Sequence, residues 1–239
     1  KENLGIWQAN NIWISYAYKK AADFFFLLNQ DAYLVDDCLQ KLIETQKAKP
    51  NYGIISPIHL NGKANLLDKN FSNYVNYDAN PSFYSDSILS NRQEIYEVPF
   101  VNAAAWLISR ECIETVGGFD PIFFHYGEDD NYCQRVRFHK LKIGVVPNTF
   151  ILHDRENRKK DVVTKFSDLY FKQLENQYKI KFANINIDKS SEIKKKYIVL
   201  RKTIIKYIFL VNFKNIFGNL KEVKLIKKIE KEVKVSRDK

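Results

Sequence analysis

Glu128, Asp129 and Asp130 stand side by side within the stretch 117–137, directly after an apolar patch of Ile122, Phe123 and Phe124. Adjacent carboxylates repel one another and resist dehydration, so placing them beside aromatic side chains needs a compensating feature. Two are available. At a helix N-terminus, backbone N–H groups and the helix dipole stabilise anions, and Asp is a favoured cap. In a catalytic site, one carboxylate accepts a proton from a substrate. The local pattern alone favours the cap. Two further groups bear on the choice. Asp31 closes the polar run Asn29-Gln30-Asp31 after the apolar residues 24–28, as a turn residue or as a metal or ribose contact. His153 precedes Asp154 and Arg155, and a lone histidine reads first as a structural or exposed residue and only second as a ligand.

These groups need elements to hold them. Residues 11–22 carry Ile12, Trp13, Tyr16 and Ala17 at helical spacing, with Asn10 and Asn11 as caps. The run FFFLL over 24–28 predicts a strand buried on both faces. Helix, buried strand and polar residues at the strand's carboxyl end make the α/β arrangement, whose ligands bind at that edge of the sheet. Residues 36–48 predict an amphipathic helix with Leu39, Leu42 and Ile43 inward, and 53–60 the next buried strand. Residues 61–91, rich in Asn, Ser, Asp and Tyr, predict a long connection of the kind that carries function. A strand around 95–101 leads into Asn102, Ala103, Ala104 and Ala105, whose small side chains admit a close ligand or form a tightly packed strand. Helices are expected over 110–116 and 129–139, a short buried strand over 142–147 and a helix over 162–182.

The net charge of +10 is unevenly placed, because 16 Lys/Arg against 5 Asp/Glu follow from Lys189 onward. That stretch reads as two basic amphipathic helices interrupted near 212–218. Such helices lie on anionic membranes, pack against a partner helix, or close a domain as a solvated pair. Ile and Leu separate the lysines and no recognition motif is present, so no nucleic acid is expected as a partner. Cys38, Cys112 and Cys133 lack metal-ligand spacing and read as reduced thiols of a cytoplasmic protein. No uncharged apolar run is long enough to span a bilayer, which leaves peripheral contact with the inner face of the cell membrane open. Nor is there a glycine-rich phosphate loop, a His pair at helical spacing or a serine nucleophile elbow.

Taken in order, four segments resemble the family 2 glycosyltransferases, and most of all their bacterial rhamnosyltransferase-like members. Asn3-Leu4-Gly5 through Asn10-Asn11-Ile12 is similar to the family's NxG…N-N segment. Leu27 to Asp31 resembles its short acidic motif at the end of a core strand. Asn102 to Trp106 followed by Gly117-Gly118-Phe119-Asp120 resembles the pocket strand and turn. Phe124-His125-Tyr126-Gly127-Glu128-Asp129-Asp130 with Tyr132 to Arg135 resembles the catalytic-base helix, and His153 trails the last strand. Two departures stand out. The family's first strand and nucleotide-contacting loop, which normally precede the NxG segment, do not appear. Asn29-Gln30-Asp31 also replaces Asp-x-Asp, so only the last carboxylate is offered to a metal.

The resemblance implies a GT-A-type, Rossmann-like fold: an α/β domain over 1–188 with a mixed, mostly parallel sheet flanked by helices, which the basic helical extension over 189–239, read from charge and periodicity, then follows. It implies an inverting, metal-dependent transferase of the hexosyltransferase type, taking a nucleotide-diphosphate sugar as donor and a saccharide or lipid-linked acceptor, in bacterial surface polysaccharide synthesis. Asp129 would be the base. Asn102, Ala103, Ala104, Asp120, Glu128 and Asp130 would line the donor and acceptor pocket. Asn29, Asp31 and Arg155 would contact the nucleotide, and Asp31 with His153 would hold Mg²⁺ or Mn²⁺. The resemblance spans about residues 1–182 and does not cover the 190–239 stretch, whose charge and apolar content point to an anionic membrane surface, a location that would suit a lipid-linked acceptor. The alternative is a non-catalytic nucleotide-sugar-binding or scaffold protein of the same fold.

Overall fold

Residues 5–124, 126–155 and 162–237 of the chain are described by a computed structural model, without the side chains of 5–7 and 237. Asn3, Leu4 and His125 lie outside the described residues. The chain divides into two units, Lys1–Phe119 with Arg135–Lys159 and Asp120–Gln134 with Lys160–Lys239.

In the first unit the apolar runs form the strands of a six-stranded sheet. They are β1 (Phe24–Leu28), β2 (Ala32–Leu34), β3 (Tyr52–Asn61), β4 (Tyr96–Glu97), β5 (Ala105–Ser109) and β6 (Lys142–His153). Their order is β1-β5-β3-β6-β2, with β4 also on β6. The expectation of a mostly parallel sheet is corrected. Among the described pairings only β3 with β6 is parallel, and β5 runs against both β1 and β3. A strand buried on both faces reads as a continuous apolar run whichever way it points, so direction leaves no trace in hydrophobic pattern.

Helices α1 (Gly5–Lys19), α2 (Cys38–Ala48), α3 (Phe71–Tyr74), α4 (Pro81–Ile88) and α5 (Arg110–Val116) belong to the same unit. Leu42 of α2 packs into a core with Ala32, Ile55, Leu107, Val146 and Ile151. Local chemistry sets the ends. Asn80 accepts from the N–H groups of Ser82 and Phe83, and Pro81 opens α4. Ser109 caps α5 by accepting from Cys112 N, and Gly117 ends it at φ 79°. The long connection over 61–91 therefore carries α3 and α4, whereas β4 is shorter than the expected 95–101 because Pro99 has no N–H to offer a ladder. The strand expected over 142–147 continues to His153. It accommodates Pro147 in an irregularity, where Val146 faces Pro57 but Phe150 already faces Ile58. Thr149 Oγ1 closes that bulge by donating to Val146 O at 2.9 Å.

Helix α6 (Glu128–Phe138) puts three acids in its first turn and Arg135 and Arg137 in its last, as the helix dipole favours. In the second unit, α7 (Asp168–Ala183), α8 (Lys189–Phe209) and α9 (Phe213–Arg237) enclose an apolar core with Phe123. Tyr178, Phe182, Leu200, Ile226 and Ile229 fill it. Ion pairs from Lys196 to Glu222 at 2.9 Å and Lys228 to Glu175 at 3.1 Å cross between these helices. All three cysteines are buried thiols, Cys38 and Cys112 in the first unit and Cys133 in the second.

Candidate functional site

Strands β1, β3 and β6 run in one direction, since β5 is antiparallel to both β1 and β3, and β3 is parallel to β6. Their carboxyl ends, Leu28, Asn61 and His153, therefore open on one edge of the sheet, where α/β proteins bind ligands. Of the residues marked by the sequence, Asn29, Asp31, Asn102, Ala103 and His153, all of the first unit, lie at or beside these strand ends. A turn from Asn29 to Ala32, closed by Ala32 N to Asn29 O at 3.0 Å, joins β1 to β2, and Asn29 N donates to Ala104 O at 2.9 Å. Ala32 is then in register with His153, and Asp154 N donates to Asp31 O at 2.9 Å. This backbone pairing brings Asp31 Oδ1 to 3.5 Å from His153 Nε2, with the imidazole 2% and the carboxylate 23% exposed. Asn102 and Ala103 are half-buried beside β5, whereas Ala104 belongs to the core. Asn102 Oδ1 is buried without a hydrogen-bond partner among the described residues.

A polar layer lies behind Asp31 and His153. Arg155 holds Asp68 through two hydrogen bonds, from Nε at 2.7 Å and from Nη2. Asp68 also accepts from the N–H groups of Asn70 and Phe71. Burial opposes the Asp68 charge, but the Arg155 hydrogen bonds and the Phe71 N–H outweigh it and hold its pKa below the ordinary carboxylate value. His59 is fully buried, shares a 3.0 Å hydrogen bond with Ser56 and has its ring 6.0 Å from that of His153. Burial, then the neighbouring His153, pushes its pKa down to about 3, so it is neutral at physiological pH. Sequence reasoning missed both Asp68 and His59. The signal for His59 was an imidazole three residues after Ser56 inside the otherwise apolar run of β3.

Among the described residues no cluster of three or more His, Cys, Asp or Glu surrounds a common point. The pair Asp31 and His153 still fits a divalent cation of the Mg²⁺ or Mn²⁺ kind. It presents one oxygen and one nitrogen donor at 3.5 Å, and such ions commonly take one or two protein ligands and complete their shell with phosphate oxygens and water.

The acidic cluster belongs to the second unit. Gly127 precedes it at φ 94°, and a side chain there would meet Ile180 Cγ1 at 2.8 Å. Glu128 is 8% exposed, and its Oε2 is buried without a hydrogen-bond partner among the described residues. Burial, with the Asp129 charge adding to it, raises the Glu128 pKa to about 7. Asp130 is likewise raised to about 7, by burial and then by Asp129 and Glu128. Asp129 is half-buried and accepts from Asp130 N at 2.9 Å. The three acids occupy the first turn of α6, where the helix dipole favours them, while a buried carboxylate oxygen such as Glu128 Oε2 is not something a cap requires. Asp120 accepts from Ile122 N at 3.0 Å and from the Ser236 hydroxyl at the end of α9. In the first unit, Asn11 of α1 brackets Phe119, accepting from its N–H at 2.7 Å and donating to its carbonyl at 2.9 Å. The asparagine segment and the glycine turn, distant in sequence, are thus in direct contact.

A mixed sheet flanked by helices, with polar groups converging at the strand ends, resembles the GT-A glycosyltransferases in fold. GalNAc-T7, whose crystal structure contains UDP, GalNAc and Mn²⁺, superposes with a TM-score of 0.50 at 12% identity over 80% of this chain. The chain spans 41% of that protein's length. A197 from STIV is a second structural match, with a TM-score of 0.40 at 14% identity, covering 66% of this chain and 76% of that one. No family model and no curated protein matches the sequence.

Proposed function

We propose that this chain is a glycosyltransferase of the family 2 type that moves a sugar, with inversion, from a nucleotide-diphosphate donor to an acceptor hydroxyl. The observation that carries the reading is the register of β2 on β6, which sets Asp31 against His153 at the carboxyl edge of a GT-A-like sheet. A bacterial rhamnosyltransferase-like role, with a saccharide or lipid-linked acceptor of surface polysaccharide synthesis, is the finer form of the proposal, resting on the motifs alone.

In this reading the acceptor oxygen attacks the anomeric carbon as the bond from that carbon to the diphosphate oxygen breaks, and the nucleotide diphosphate leaves with the bonding pair. The acceptor proton passes to a carboxylate, for which the motifs select Asp129. Glu128 and Asp130, both raised to about 7 by burial and by the neighbouring carboxylates, are partly protonated at neutral pH, which lessens the charge crowded around Asp129. Asp31 and His153 would hold the divalent cation, which when bound stabilises negative charge on the departing diphosphate. Asn29 and Asn102 would contact donor groups, Ala103 would let the sugar approach the backbone, Ala104 packs in the core beneath it and not in the pocket, and Asp120 would border the acceptor. Arg155 would reach a phosphate oxygen from its place beside Asp68.

Asp129→Asn is expected to lower turnover by about 10²-fold or more while nucleotide-sugar binding, read by thermal shift, persists. Unchanged turnover in that variant removes Asp129 from the base role. Donor hydrolysis without acceptor, assayed with Mn²⁺, separates a transferase from a binding protein of the same fold, since a pure binder releases no free sugar.

A further inference from the structure

We propose that the turn joining α8 to α9 is a docking tip that seats in the headgroup layer of an anionic membrane. This goes beyond the transferase reading and does not depend on it. At the ends remote from the turn, Ile193 and Leu200 meet Ile226, Ile229 and Val233 in the bundle core, while Ile198, Val199 and Val235 stay exposed. A helix pair lying flat with those core side chains in lipid is therefore not available. Near the turn exposed apolar residues predominate. Ile208, Phe209, Leu210, Val211, Phe213 and Phe217 are all exposed, Phe209 to 83% and Phe217 to 66%. These apolar side chains sit on consecutive turns about a three-residue connection, 210–212. Such a contiguous patch marks an interaction site.

Charge identifies the occupant. From Arg201 to Lys221 there are five Lys/Arg and no Asp/Glu. Arg201, Lys202, Lys206 and Lys214 are exposed, and among the described residues no ion pair is seen for them. Other lysines of the bundle have acidic partners, Lys179 and Lys228 at Glu175, Lys181 at Glu192, Lys196 at Glu222 and Lys221 at Asp168. The tip thus combines an apolar apex with unmatched cations behind it, the composition that binds acidic headgroups while inserting to shallow depth. A second copy of the chain is a poor match, because it would bring two cationic faces together with no acid between them. Insertion is shallow by necessity, since no described helix is long and apolar enough to cross a bilayer.

The test uses the full chain and flotation with two kinds of vesicle, pure phosphatidylcholine and phosphatidylcholine with roughly one quarter phosphatidylglycerol. The chain is expected to float with the anionic vesicles only. Phe209→Asp with Phe213→Asp, or Arg201→Glu with Lys202→Glu and Lys206→Glu, should each weaken binding at least about tenfold. Unchanged circular dichroism in these surface variants establishes that the fold is kept. Phe209→Trp should shift its emission to the blue on adding anionic vesicles. Equal flotation with both vesicle types, full binding by either multiple variant, or an unshifted tryptophan would overturn the proposal. So would a dimer in light scattering that Phe209→Asp with Phe213→Asp dissolves, in a chain that does not float, since the patch would then cover a second copy.

Discussion

A carboxyl group that folding buries holds its proton more tightly than it does in the unfolded chain. Glu128 moves from an ordinary 4.5 to about 7, and Asp130 from 3.8 to about 7. Between those values the folded protein binds more protons than the unfolded one, so their contribution to stability is present at low pH and is lost as pH rises towards 7. Asp68 and Glu175, whose pKa values are lowered, contribute in the opposite sense and below that window. Urea unfolding from pH 4.5 to 8 should therefore show a decline in the wild type. Glu128→Gln should flatten it and gain on the order of 2 kcal/mol at pH 8; an unchanged slope would mean that Glu128 is not desolvated. For Asp68, 5% exposed and held by Arg155, replacement by Ala leaves a mostly buried guanidinium without its partner. A loss of about 3 kcal/mol is expected, readable as a lower urea midpoint. Motif order in the sequence marks Asp31, His153 and the acidic trio as candidates, and the fold sets Asp31 beside His153 and the trio at the start of α6. Asp68 and His59 were not legible there, because a polar connection hides a buried aspartate and an apolar run hides a buried imidazole.

At the scale of elements, what the chain writes locally is where a helix or strand exists and how it ends. Helix α5 appears over the predicted 110–116 because Ser109 and Gly117 are unambiguous punctuation. Pairing direction and register are long-range, which is why the reversed β5 and the continuation of β6 through its bulge were not foreseen. Gly127 shows the cost of a junction between elements. Its φ of 94° is a region that side chains avoid, and an added Cβ would press on Ile180 and Phe123. Gly127→Ala should cost about 2 kcal/mol and shift the first turn of α6. Under the proposed function, transfer should then fall more than the melting temperature explains. A variant with full stability would show that the turn relaxes freely.

At the scale of the whole molecule, the C-terminal helices were legible as helices but not as part of a shared core. Periodicity reports that a face is apolar and says nothing of which distant residue covers it. Here Phe123, from the loop ahead of the acidic cluster, is covered by α7, α8 and α9. Deleting 190–239 should therefore uncover Phe123, Tyr178 and Phe182, giving lost helicity and aggregation in size-exclusion chromatography; a soluble truncated chain with the remaining helices intact would contradict that core. The buried thiols carry one more consequence. Cys38 and Cys112 report on the sheet unit and Cys133 on the helical one, and burial raises the Cys38 pKa to about 11, so its folded form scarcely reacts. Alkylation can then proceed only through transient opening. Native chemistry has in effect installed separate stopwatches in the two halves of the chain, and site-resolved mass spectrometry of labelling would time how often each half comes undone.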